Sequence, residues 1–300
     1  GRFHKGAFHI AEALQVPIVP VVLHGFGKAM SKNDALLKNA LLTIRTLPVI
    51  QPSDPQFGEG DRERTKKISA WYKAKYEEIR STKEGPVWYH EQLMRNFMYK
   101  GPVLEWHTRI KARMDAGLHD LLHKRIPIDA RIVDLGSGHG MVSFLLGWSA
   151  PDRVIQGYER DADKVAIANN AYSRSPNVTF SVADLEGLIP PPADAYILKD
   201  VLHYLPPIEQ RELILACAKE LSPKGAIFVR DGFAANDERH DRTKRTERYS
   251  VGLGFNQAKG ELHFMTKEGI VAIAKEAGLN VEWATKEMRT SNELVILTKG

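Results

Sequence analysis

The stretch Arg131-Ile132-Val133-Asp134-Leu135-Gly136-Ser137-Gly138-His139-Gly140 constrains this chain more than any other. An apolar run of strand character ends in an acid, and a glycine-rich turn opens onto the helical-looking segment from Met141 to Trp148. Glycine supplies the φ > 0 that so tight a strand-to-helix turn demands, and its missing Cβ lets backbone approach a ligand closely. Strand, glycine loop and helix in that order build a pocket for a nucleotide-type ligand. A lone GxGxG is weak evidence, so its meaning rests on the residues that come after it at the right spacing.

Beyond the loop the chain alternates regularly. Strands are expected at 130–135, 153–158, 177–181, 194–199 and 225–230, with helices at 140–149, 161–173 and 207–221. Strands alternating with helices imply a mostly parallel sheet covered on both faces. Residues 232–264 interrupt the pattern with the charged run Asp237 to Arg242, and a helix at 267–277 and strands near 280–286 and 292–298 close the chain.

Length and composition fit this plan. Three hundred residues with 43% apolar content suit two domains with real cores. The single cysteine, Cys217, excludes an internal disulfide and any cysteine-rich metal site, which fits a reducing, cytoplasmic setting. A net charge of +5 is spread among interspersed acids and bases, so nucleic acid is not a required partner. No segment has the roughly 18 consecutive apolar residues of a membrane span. Beginning at Gly1-Arg2-Phe3 in mid-pattern, the chain reads as an excised piece of something longer.

Three further features arrive in order after the glycine loop. Glu159, ending the second strand in Gly157-Tyr158-Glu159-Arg160-Asp161, stands where a carboxylate accepts from both hydroxyls of a ribose. Asp161 reads instead as a helix cap. Asp184, in Val182-Ala183-Asp184-Leu185, can accept from an exocyclic adenine amine while apolar neighbours flank the ring. The fourth strand ends Ile197-Leu198-Lys199-Asp200 and leads into Val201-Leu202-His203-Tyr204-Leu205.

In these four blocks, residues 128–300 resemble a class I S-adenosylmethionine-dependent methyltransferase. The resemblance implies a Rossmann-like, mostly parallel α/β sheet with an antiparallel C-terminal hairpin, S-adenosylmethionine as methyl donor and S-adenosylhomocysteine as product. It implies cofactor contacts from Asp134, Gly136, Ser137, Gly138, Gly140, Glu159, Arg160, Asp184, Leu185 and Lys199. Asp134 would fix the donor's amino group, and the glycine loop would pack on its methionine part.

Methyl transfer from a sulfonium is an in-line displacement at an activated carbon, so the protein supplies orientation and, for a phenol with pKa near 10, proton removal. Lys199 followed four residues later by His203 is similar to the corresponding block of small-molecule O-methyltransferases that act on phenols, where the histidine is the base. Asp231, ending Phe228-Val229-Arg230-Asp231, would orient it. The chain departs from that pattern at Tyr204 and Leu205, and at Phe264, where a second orienting acid is expected and only Glu261 and His263 lie close by. Many related enzymes carry a Leu-His pair here with no base role, so a structural histidine stays open. His240, Tyr249 and His263 fall in the interruption where this fold builds its substrate lid. No HxH, HExxH or CxxC spacing suggests a metal.

The front of the chain is different. Residues 5–14 carry a helical pattern, 16–23 and 41–50 read as strands, and Asp61 can cap a helix running to Arg80. Gly85-Pro86 punctuates a boundary, and helices over 89–99 and 103–124 form a cap or linker. The working division is 1–82, 83–127 and 128–300. Phe3 to Ala11, Val16 to Gly25 and Phe57 to Lys66 resemble the C-terminal part of a lysophospholipid acyltransferase-like domain, with His4 to His9 giving histidine where its dyad needs aspartate. No acyl transfer is expected. The tandem order resembles bacterial fusions of an MMPL-type exporter, an acyltransferase and a methyltransferase, associated with aryl-polyene or flexirubin-like pigments. That implies a small aromatic or lipid-linked acceptor at the cytoplasmic face of the inner membrane. Two other readings stay open, an RNA or protein methyltransferase and a non-catalytic docking module.

Overall fold

The computed structural model describes residues 3, 6–30, 35–233, 262–284 and 292–299. The chain divides into two compact units, Gly1–Glu84 and Gly85–Gly300.

The first unit runs α1 (Gly6–Ala13), β1 (Val21–His24), α2 (Phe26–Ala29), β2 (Thr43–Thr46) and α3 (Gly60–Lys83). β1 and β2 pair antiparallel with Val22 opposite Arg45, and one further bridge joins Ile18 to Ile50. Both strands are shorter than the sequence suggests, because Pro17, Pro20 and Pro48 have no N–H to give a ladder. Asp61 is not the cap of α3: Glu59 holds that position, and the Asp61 carboxylate lies 3.0 Å from His9 Nδ1. Small apolar clusters around Phe8, Ile50, Phe57 and Ile68, and around Val22, Leu47 and Ile79, hold the unit together. Val21, Leu23 and Ile44 remain exposed.

The second unit opens with three helices, α4 (His90–Phe97), α5 (Pro102–Met114) and α6 (Ala116–Arg125). The helix expected over 103–124 is therefore two, broken at Asp115. A buried acid and Gly117 in the next turn both disfavour an unbroken helix there. There follow β3 (Arg131–Leu135), α7 (Met141–Ser149), β4 (Val154–Glu159), α8 (Ala162–Asn169), β5 (Val178–Val182), β6 (Ala193–Lys199), α9 (Pro207–Glu220), β7 (Leu221–Asp231), α10 (Lys267–Glu276), β8 (Leu279–Trp283) and β9 (Glu293–Lys299). α8 stops four residues before its expected end, where Asn96 Oδ1 accepts from both the backbone N–H and the hydroxyl of Ser173 and draws the chain away. β7 begins earlier than expected because Leu221 already pairs with Ala193 across an irregularity in register.

The sheet order is β5-β4-β3-β6-β7-β9-β8. β3 to β7 are parallel, and β9 enters antiparallel between β7 and β8. Alternation along each strand divides the core. Ile132, Ile155, Ala195, Ile197, Phe228 and Ile296 face the cluster under α4 to α7, whereas Val133, Tyr196, Leu198, Ile227 and Val295 face the one under α9 and α10. From β3 the chain winds outward through β4 and β5, then returns to add β6 and β7 on the other side. That reversal leaves a crevice outside the carboxyl ends of β3 and β6, where open α/β sheets bind ligands.

Candidate active site

The crevice is lined by the residues that end these strands. β3 delivers Asp134 and leads into Gly136, Ser137, Gly138 and His139; β4 delivers Glu159, Arg160 and Asp161; the turns after β5 and β6 bring Asp184, Leu185, Lys199, Asp200, Val201 and Tyr204. From outside the sheet come His107 and Lys111 of α5 and Lys164 of α8.

The loop is fixed by backbone hydrogen bonds. The N–H groups of Gly136 and Ser137 both donate to Tyr158 O at 2.9 Å, and Gly140 N–H donates to Ser137 O. Gly136, Gly138 and Gly140 all have positive φ, but for different spatial reasons. A Cβ on Gly136 would sit 2.4 Å from Val201 Cγ2, and one on Gly140 would sit 2.3 Å from Phe180 Cζ. Those two glycines make room for protein, and Gly140 does not line the crevice. Only Gly138 would project a Cβ into open space. It alone of the three is a cradle a side chain would fill.

Glu159 is held by the loop it faces. Its Oε2 accepts from Gly138 N–H at 3.0 Å and its Oε1 from Asp161 N–H at 3.1 Å. Each oxygen keeps a second lone pair, so a ribose diol can still donate to it. Asp161 caps α8 as expected, accepting from Asp163 and Lys164 N–H. Asp184 is exposed and accepts from Glu186 N–H at 3.3 Å, with buried Leu185 beside it.

Asp134 is buried and takes a 2.6 Å hydrogen bond from Ser143 Oγ. Burial pushes its pKa up to about 6 against the opposing pull of Ser143 and Lys199. An ammonium group arriving above it would draw the carboxylate back to its ionised form. Ser137 Oγ is buried with no hydrogen-bond partner among the described residues, a cost that a ligand hydroxyl or amine removes. An acid for an amine, an acid for a diol, an orphaned hydroxyl and an empty cradle fit a nucleoside carrying an amino-acid end.

Lys199 lines the crevice and is paired within the protein. Its Nζ lies 2.9 Å from Asp115 Oδ2 and 3.4 Å from Asp200 Oδ2. Burial works against its charge, but the two carboxylates override it and hold the pKa above the usual lysine value. Arg230 completes the cluster, bound to Asp200 and 3.2 Å from Asp115 Oδ1, and Asn292 Nδ2 donates to Asp200 Oδ1 at 2.7 Å. Lys199 is thus tied into the wall of the crevice by two acids. Asp200 adopts φ 55, an unusual value for a non-glycine residue, next to the cleft.

The expected pair of His203 and Asp231 is brought together. His203 Nδ1 lies 2.6 Å from Asp231 Oδ1, and the His203 backbone N–H donates to Oδ2 at 3.2 Å. Phe264 stacks on the imidazole. The ring is only 2% exposed and does not line the crevice; its neighbours Val201 and Tyr204 do. His263 is a structural partner here, its N–H donating to His203 O and its carbonyl accepting from Gln210 Nε2. His4, His240, Tyr249 and Glu261 lie outside the described residues.

Sequence reasoning missed His107, Lys111, Lys164 and Asp115. No motif surrounds them; the packing of α5 over the strand tips shows the part of His107, Lys111 and Asp115, and the first turn of α8 that of Lys164. Asp200 stood in plain view after Lys199, but nothing in its neighbours signalled a buried cluster.

Residues 132–225 match a family model described as a methyltransferase domain. No curated protein matches the chain. Among solved structures it is similar to an O-methyltransferase family protein from Burkholderia thailandensis, at TM-score 0.50 and 22% identity over 65% of this chain and 59% of that one. It is also similar to the pyocyanin biosynthetic protein PhzM, at TM-score 0.50 and 16% identity over 68% and 61% of the two chains. A putative O-methyltransferase from Nostoc punctiforme gives TM-score 0.50 and 14% identity over 64% and 58%. The match thus spans about three fifths of the length of each of these structures, and what it shares with them is the fold. The second unit thus has the Rossmann-like methyltransferase fold, and within it residues 132–225 match a methyltransferase domain.

Proposed function

We propose that this domain transfers the methyl group of S-adenosylmethionine to a small acceptor with an aromatic hydroxyl or ring carbon. The observation that carries the cofactor part is the meeting of Asp134, Glu159 and Asp184, from the ends of three adjacent strands, around the open side of Gly138. Asp134 takes the amino group, Glu159 the ribose hydroxyls, and Asp184 the adenine amine beside Leu185. Ser137 and Arg160 lie along the same wall. When bound, the cofactor supplies the electrophilic methyl; these residues only bind and orient it.

For a phenolic acceptor, His203 is the candidate base. The reading is supported by the 2.6 Å contact to Asp231, which holds the proton on Nδ1 and leaves Nε2 as the basic nitrogen. Val201 and Tyr204, on either side of it in sequence, line the cleft where an acceptor would sit. A lipid-pigment precursor is the acceptor class that the tandem order of the chain suggests. Mass spectrometry of hydroxybenzoyl and alkylresorcinol acceptors should find a cofactor-dependent gain of one methyl group. His203→Ala should then lower turnover on the order of a hundredfold or more while leaving S-adenosylhomocysteine affinity within about twofold. Undiminished methylation of a phenol by that variant would remove the base role.

A further inference from the structure

The crevice is lined by both acids and bases. The tips of β4 and β5 offer the acids Glu159, Asp161 and Asp184. The same crevice is lined by His107 and Lys111, one turn apart on α5, with His139 of the glycine loop and Lys164 of α8, one turn after Asp161. We infer that His107, Lys111, His139 and Lys164 form a seat for the carboxylate at the amino-acid end of the methyl donor. The inference rests on the cofactor reading and goes beyond it by assigning this group to residues of α5, the glycine loop and α8.

Three observations support the assignment. The amino and carboxylate groups of an amino acid share one carbon, so an ammonium above Asp134 sets the carboxylate within a few ångströms of the same spot. Asp134 and the four basic residues line one crevice, and His107 feels the charges of Lys111, Lys199 and Lys164. Second, the wall is crowded with positive charge. Burial first, and then the nearby lysines, press the pKa of both His107 and His139 down to about 4. Lys164 has no ion-pair partner among the described residues, whereas Lys199 is engaged by Asp115 and Asp200. A carboxylate placed here meets neutral imidazoles that can donate and the ammonium of Lys164.

Third, the seat is held in place before any ligand arrives. Asp115, at the break between α5 and α6, binds Lys199 and Arg230 of β6 and β7 and so fixes the end of α5 to the sheet. Lys111, one turn before it, lies 3.7 Å from Asp200. A preformed seat spares a ligand the entropy of ordering it.

The test is calorimetric titration of the full chain with S-adenosylhomocysteine, its decarboxylated analogue and 5′-methylthioadenosine, which lacks the whole amino-acid end. The wild-type chain should prefer S-adenosylhomocysteine to the decarboxylated analogue by about tenfold or more, the order expected for a charge-assisted contact. Lys164→Met, which breaks no ion pair, and His107→Gln should each cut that preference several-fold and leave 5′-methylthioadenosine affinity unchanged. A preference that survives both variants overturns the seat, also when an acidic acceptor loses affinity instead, since the wall then serves the acceptor. A wild-type chain that binds 5′-methylthioadenosine with no carboxylate preference overturns the seat alone. Failure to bind any of the three overturns the cofactor reading and the seat together.

Discussion

Asp134 shows how burial can prepare an acid for a cation. With its pKa raised to about 6, chiefly by loss of solvent, it is partly protonated in weakly acidic solution. A bound ammonium favours the carboxylate, so binding releases a proton wherever the free site still holds one. Affinity for S-adenosylhomocysteine should therefore rise with pH between about 5 and 7, by at most tenfold per unit, and level off above that window. Titration at a series of pH values checks this. Asp134→Asn should flatten the rise, and a persistent slope in that variant would assign it to another group. Gly138 sits at the opposite extreme of size. The sequence pointed to all three loop glycines alike, yet Gly136 and Gly140 answer to Val201 and Phe180. Spacing reveals that a glycine is needed; it does not reveal whether protein or ligand needs it.

At the scale of elements, two buried charged residues bind the helical cap to the sheet. Arg153, at the foot of β4, is fully buried and donates to the carbonyls of His123, Ile126, Pro127 and Leu146, closing the ends of α6 and α7. Its pKa falls to about 10 by burial, so it stays charged at neutral pH. Arg153→Met strips the carbonyls of His123 and Ile126 of their donor, while Leu146 O and Pro127 O keep backbone partners, and should cost on the order of 3 kcal/mol in urea unfolding; a loss below ~1 kcal/mol would mean that water replaces the guanidinium. Asp115→Asn removes one anion from the cluster of Lys199, Asp200 and Arg230, and should cost roughly 3–5 kcal/mol. Neither residue was legible beforehand, because their partners are distant in sequence. The strands and helices of the sheet were legible, since apolar runs and turn residues are local. The break at Asp115 was not, because a helix interrupted by a buried ion pair keeps its outward 3.6-residue pattern.

For the molecule as a whole, the site follows from topology. The strand order places β3 beside β6, and the reversal between them opens the crevice at their carboxyl ends. Glu159 and Asp184 could be placed from sequence because motif spacing and strand tips coincide in such a sheet. The part of the basic wall from His107 and Lys111 could not, since α5's place over the crevice is a tertiary fact. Among the described residues no helix is long and apolar enough to cross a membrane. If the second unit is self-sufficient, residues 85–300 alone should bind S-adenosylhomocysteine within about twofold of the full chain, as 1.4 kcal/mol would already be tenfold. A larger loss would show that the first unit supports the site. The most direct test of the central claim is calorimetric titration of the intact chain and of its Glu159→Ala and Asp184→Ala variants with S-adenosylhomocysteine. Three strand tips converging on one nucleoside predict a single site in the wild type, weakened by about tenfold or more in each variant. A wild-type chain that does not bind, or two variants that bind as tightly as it does, would contradict the account.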